Sequence, residues 1–327
     1  MFSSSVSNIS LVKTMTAGLL AQQRTLSLLS EQLSSGNKFN SITEYSPPDA
    51  KRILSLNAAL TQRNAYLFSI DTAINTMAFY EVSLNQIESS LGLAINFASN
   101  SNLYSQAAAD ILNAQATSYL DSMTAILNQT INGKFVYSGA RFTTAPVADL
   151  STLPTLPVPP PILTTPTTPP DLPSYDSEYV AGIPQNAFAF VTATATIDEN
   201  YVLDYGITSN DPPFQKMILG LRYMQAAGKA TNSADYRAYL DAAAPLMREA
   251  LSEIESLHTF VVGNNYLVNN QKVSQESIML NLTNQLATLK QVDRTEVGVR
   301  ITEMTSLIQA SYSVTGSLLK LSILNYL

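Results

Sequence analysis

Apolar residues recur at steps of three and four over long tracts at both ends of the chain. Val12, Met15, Leu19, Leu26, Leu29 and Leu33 follow this rhythm, with Gln22 as one polar interruption. Met77, Tyr80, Leu84, Ile87 and Leu91 repeat it, and Tyr236, Leu240, Ala243, Met247, Ala250, Ile254, Leu257 and Val261 give eight successive matches. Val297, Ile301, Met304 and Ile308 open the last segment in the same way. Such spacing lays a stripe along one helix face, suited to lateral packing against other helices. Any one stripe also fits the core of an ordinary helical bundle. Recurrence in both halves favours long rods, since a helix from Ile53 to Ala98 would span roughly 69 Å at 1.5 Å per residue.

Between the two helical arms the pattern changes. Eleven of the sixteen prolines lie from Pro146 to Pro184, whereas residues 49–145 have none and residues 214–327 only Pro245. A proline inside a helix costs about 3 kcal/mol, so the proline-free tracts are where long helices belong. Residues 151–174 mix Pro, Thr and Leu, which suits an extended connector with no core of its own. Ala187 to Ile197 and Tyr201 to Gly206 are rich in β-formers and predict two strands of a small β subdomain. Asn210-Asp211-Pro212-Pro213 then predicts a turn and a helix start, with Phe214, Met217, Ile218 and Leu221 on the next helix face.

Charge divides the chain at the same places. Residues 142–215 carry eight acidic residues and no Lys or Arg, so the arms hold seventeen acidic against eighteen basic residues. The net charge of −7 therefore resides in the insert, and it argues against nucleic-acid binding through a basic surface. No stretch has the roughly 18 unbroken apolar residues of a membrane span. The N-terminus lacks the basic start and apolar core of a cleavable signal, its first basic residue being Lys13.

Little chemistry is on offer. The chain has no cysteine and one histidine, and it carries no phosphate-loop, dinucleotide, zinc-helix or calcium-loop pattern. A Ser-His-Asp arrangement would have to use His258, which the stripe places on a helix beside Leu257 and Val261. The acidic residues of the insert are scattered, which fits a solvated surface better than a cation site. These features predict no enzyme, no cofactor and no metal.

The terminal segments are poor in charge. Met304 to Leu327 contain one charged residue, Lys320, and Met1 to Ser30 only Lys13 and Arg24. As free helices they would expose apolar stripes, so full burial requires a partner surface, and both ends are expected to order on assembly. Charges are depleted from interface cores, which fits the same expectation.

Leu33-Ser34-Ser35-Gly36, Asn40-Ser41 and Pro48-Asp49-Ala50 resemble the N-terminal pattern of the bacterial flagellin superfamily, with Pro47-Pro48 where paired aspartates are common. Asn132-Gly133-Lys134-Phe135-Val136-Tyr137-Ser138-Gly139, continuing to Thr143-Thr144-Ala145-Pro146, is similar to the hook–filament junction branch, as is the tract from Asp204 to Phe214. Thr295-Glu296-Val297 and the apolar stretch from Leu318 to Leu327 resemble both branches.

The resemblance implies a mainly α fold, a long antiparallel helical coiled-coil rod formed by the N- and C-terminal arms with a small β-containing, proline-rich insert. It implies a terminal assembly domain (1–45 with 290–327), a helical rod domain (46–145 with 212–289) and an outward acidic insert (146–211). Export through the flagellar type III apparatus without a cleavable signal, an extracellular place in the flagellum and a ring or helical array of copies follow from it. So do contacts with a neighbouring hook-associated protein and flagellin, and an export chaperone. Val12, Met15, Leu19, Leu26, Leu29, Leu33, Val297, Ile301, Met304, Ile308, Leu318 and Leu321 are the expected assembly residues. A filament flagellin of the same superfamily and a secreted coiled-coil adhesin remain alternative readings.

Overall fold

The computed structural model describes residues 2–101, 103–154, 156, 175–177, 179–180, 183–184 and 187–324, with the side chains of 2–12, 179–180, 183–184, 187–188 and 318–324 left aside. The expected extended connector at 151–174 falls mostly outside them. Six α-helices dominate: α1 (Phe2–Ser35), α2 (Pro47–Asn100), α3 (Gln106–Leu127), α4 (Pro212–Gly228), α5 (Ser233–Lys290) and α6 (Arg294–Leu324). Three two-stranded antiparallel sheets accompany them: β1 (Thr130–Ile131) with β2 (Lys134–Phe135), β3 (Tyr179–Val180) with β4 (Ile183–Pro184), and β5 (Thr194–Asp198) with β6 (Tyr201–Asp204). The fold is mainly α with a small β part, as the stripes require. No described helix is long and apolar enough to cross a membrane.

Two compact units make up the chain, Met1–Arg63 with Ser277–Leu327, and Asn64–Glu276. In the second, the predicted stripes become the core. Met77, Tyr80, Leu84, Ile87 and Leu91 of α2 and Tyr236, Ala243, Met247, Ala250, Ile254 and Val261 of α5 are buried with Leu112, Leu120 and Met123 of α3. The α3–α4 packing is close enough that a Cβ on Gly228 would lie 2.4 Å from the Asn113 backbone nitrogen.

Helix starts follow local chemistry. Ser46 accepts from the Asp49 backbone N–H at 3.4 Å, its hydroxyl donates to the Asp49 carboxylate at 2.7 Å, and Pro47 and Pro48 fill the first turn of α2, where a missing N–H goes unnoticed. Pro212 and Pro213 do the same for α4. Pro245 sits inside α5, on the course of the stripe that runs from Tyr236 to Val261. It is exposed, so the carbonyl it leaves without a donor can be hydrated, and the buried stripe on either side holds the helix together.

The expected strand from Ala187 to Ile197 is shorter than its composition suggests. Ala187–Phe190 forms a 3₁₀ turn, and pairing runs only from Thr194 opposite Asp204 to Asp198 opposite Tyr201. Beyond Ala193 the opposing strand ends at Gly206, whose N–H donates to the Ala193 carbonyl at 3.0 Å, so nothing remains to pair with 187–190. Gly206 tolerates no side chain, since its Cβ would come within 2.0 Å of the Ala193 nitrogen.

A buried polar knot joins these parts. The Tyr80 hydroxyl lies 3.1 Å from the Val136 carbonyl and 3.2 Å from that of Ile207, and it accepts the Ile207 N–H at 3.3 Å. Tyr137 shares a hydrogen bond with Ser83 and receives the Ser209 N–H on its carbonyl at 2.9 Å. The turn that presents Tyr137 is Asn132-Gly133, both with positive φ (51° and 76°), which matches the strand twist of a tight hairpin. On α4, the Lys216 ammonium is buried between Glu249 at 2.7 Å and Glu253 at 2.5 Å. Burial by itself would lower its pKa, but the two carboxylates outweigh it and the value is raised.

Candidate assembly interface

Among the described residues, no group of three or more His, Asp or Glu side chains could hold a metal ion. The His258 Nδ1 lies 2.9 Å from Glu88 Oε1, bridging α5 to α2, with Glu255, Thr259 and Val262 beside it in a shallow depression. No serine lines that depression, and its one hydroxyl, that of Thr259, donates to the Glu255 carbonyl at 2.9 Å. A deeper cavity of about 280 Å³ lies over α4 near Arg222 and Tyr239. Three of its polar groups bind the chain that crosses it: Arg222 donates to the Pro154 carbonyl, Gln225 to that of Ser151 and Tyr239 to that of Leu156.

The surface with the most distinctive chemistry is in the first unit, where α1 and α6 pack antiparallel. Ser311 donates to Gln22 at 3.2 Å and Gln23 donates to the Tyr312 hydroxyl at 2.8 Å, fixing the register. Of the stripe residues read from the sequence, Leu29, Val297 and Ile308 are buried, and Met15, Leu19, Leu26, Ile301 and Met304 are half-buried. Leu33 is exposed, and the side chains of Val12, Leu318 and Leu321 lie outside the described residues. The polar interruption Gln22 falls on the same half-buried face, which explains its pairing with a serine rather than a leucine.

A clasp closes the helix pair. Gly36, with φ +72°, ends α1 by donating its N–H to the Gln32 carbonyl at 2.8 Å, and only a residue tolerant of that conformation fits there. The next residues run beside the α5–α6 link, with Lys38 N–H to the Lys290 carbonyl at 2.7 Å and Val292 N–H to the Gly36 carbonyl at 3.0 Å. Arg294 lies over the glycine, its guanidinium nitrogen 2.9 Å from where a Cβ would be. Asp293 caps α6 by accepting the N–H groups of Thr295 at 2.8 Å and Glu296 at 3.3 Å. Those two donors favour the ionised form and hold its pKa below the usual carboxylate value.

The sequence reading passed over the residues this pairing leaves outside. Leu20 and Leu28 of α1 and Val299, Leu307 and Val314 of α6 are exposed large hydrophobic residues. Their signal was present as apolar positions next to the stripe, such as Leu20 beside Leu19 and Leu28 beside Leu29. One helix pair cannot bury both sets at once. The two helices thus carry a filled inner seam and an unfilled outer apolar face.

No protein-family profile matches the chain, and no curated protein matches it. Among solved structures it is similar to a Vibrio parahaemolyticus protein assigned as flagellar hook-associated, at 14% sequence identity and a TM-score of 0.55. The likeness covers 76% of this chain and 100% of that one, and at such identity it is a likeness of fold.

Proposed function

We propose that this chain is a structural subunit of the bacterial flagellum that joins hook to filament. It leaves the cell unfolded through the flagellar type III apparatus, without a cleavable signal. It then assembles outside into a ring or helical array through its terminal helices, between a neighbouring hook-associated protein and flagellin. An export chaperone would cover the terminal helices before export, and catalysis has no part in this role.

One observation carries the reading. The α1–α6 pair leaves Leu20, Leu28, Val299, Leu307 and Val314 exposed beside its buried seam, and from Met304 onward α6 carries one charged residue, Lys320. Exposed apolar surface of this kind suits an interaction site, and low charge toward the C-terminal end of α6 is what interface cores require. The inner stripe from Met15 to Ile308 sets the shape of the pair, and the outer set meets the neighbours. The fold likeness to a protein assigned as flagellar hook-associated and the flagellin-like motifs at both ends support the flagellar setting.

The test is a deletion strain viewed by electron microscopy. Hooks without filaments, with free flagellin in the medium, are expected. Normal filaments in that strain would refute the junction role. Seeded growth of the purified chain separates the filament reading, because a filament subunit elongates into long fibres and a junction subunit stops.

A further inference from the structure

The second unit carries an unfilled helical face of its own. On α2, Phe68 and Val82 are 77% and 60% exposed and fourteen residues apart, hence on one side of the helix. On α5, Tyr266 and Val273 are 73% and 66% exposed and seven residues apart. Tyr266 is five residues beyond the buried Val261, about 140° around the helix, so this stripe faces away from the core. Polar bridges tie the two helices together beside the stripes: Glu88 to His258 at 2.9 Å, Glu81 to Asn265 at 2.7 Å and Asp71 to Lys272 at 2.8 Å. Large aromatic groups do not stay this exposed on a rigid helix pair without consequence.

Charge selects the occupant. From residue 64 to its end α2 carries Asp71, Glu81 and Glu88 and no basic residue, and Glu255 and Glu276 on α5 add two more carboxylates against Lys272. Outside residues 142–215, the second unit has eleven acidic residues against eight basic, a net of −3. The first unit has ten basic against six acidic, a net of +4. Its portion of α2 opens with Lys51 and Arg52, both exposed, next to Leu54 at 59% exposure. Like faces of the acidic unit repel each other, so a symmetric pairing through this face is disfavoured, whereas a basic patch with an adjoining leucine is complementary.

We propose that the α2–α5 face of the second unit, bounded by Phe68, Val82, Tyr266 and Val273, docks the first unit of another copy of this chain through Lys51, Arg52 and Leu54. The contact is heterologous, with different surfaces meeting, so a pair leaves one of each unfilled and a closed ring of copies fills them all. The inference rests on the proposed function for its setting and names which surfaces of neighbouring copies meet.

Sedimentation of the full-length purified chain at low and high salt tests it. Association is expected at low salt and should weaken as salt screens the charges. The K51E/R52E chain and the D71K/E276K chain should each lose about tenfold or more in association, and an equimolar mixture of the two should regain it. Phe68→Ser with Tyr266→Ser should weaken association while helicity by circular dichroism stays unchanged. Wild type that remains monomeric at every salt concentration, or a mixture no better than either variant alone, overturns the proposal. A deletion strain that still shows hooks without filaments would in that case leave the junction role standing, which separates the two failures.

Discussion

At the scale of single residues, backbone conformation and burial decide what can be exchanged. Gly36 holds φ +72° at the end of α1, a region that costs a side-chain-bearing residue about 1–2 kcal/mol. Gly36→Ala should lower stability by that amount in chemical denaturation, because the clash with Arg294 falls on the end of a flexible side chain that can move aside. The tyrosines give a second expectation. Burial raises the pKa of Tyr80, Tyr137, Tyr175, Tyr205, Tyr223, Tyr236 and Tyr239, with Tyr223 pushed up to about 12. For an acid whose folded pKa lies above its unfolded value of 10.0, stability is intact below pH 10 and is lost as pH rises toward the folded value. Tyrosinate absorbance should therefore rise in two steps, the second coinciding with loss of helicity, and a single step for all sixteen tyrosines would contradict the burial. The sequence marked Tyr80 and Tyr236 as stripe residues. It held no sign that the Tyr80 hydroxyl would bind Ile207, 127 residues away.

At the scale of elements, most of the helices were legible and the strands only in part. A three–four rhythm needs only local sequence to place side chains on one face, so the cores of α2 and α5 could be read directly. Strands depend on a partner, which is why Thr194–Asp198 formed opposite Tyr201–Asp204 and Ala187–Phe190 did not. At Pro245 the stripe outweighs the residue's own preference, through packing at Ala243, Leu246 and Met247 on either side of it. The start of α6 depends on Asp293, whose carboxylate serves two otherwise unpaired backbone donors. Asp293→Ala should speed amide exchange in the first turn of α6. In the unaltered chain the contribution is present at neutral pH and fades as pH falls through the depressed pKa, because the protonated group accepts poorly. Equal exchange rates in both chains at neutral pH would dismiss the cap.

At the scale of the whole molecule, the terminal helices belong to one compact unit and the buried tyrosine-rich core to the other. Removing Met304–Leu327 takes away the part of α6 that pairs with Gln22 and Gln23 of α1, and leaves residues 64–276 with their core intact. Circular dichroism of the truncated chain should keep the cooperative transition of that core, while cells carrying it should make hooks without filaments; normal motility would count against assembly through these ends. The sequence alone determined where long helices run, where clustered prolines interrupt them, and that the insert carries eight acidic residues and no basic one, because each of these is a property of the chain order. Only the tertiary structure decided that the Met15–Ile308 stripes meet each other, that Leu20 and Leu307 are left outside, and that Glu88 sits against His258. Periodicity assigns a residue to a face; what covers that face is set by segments hundreds of residues away, and nothing local encodes it.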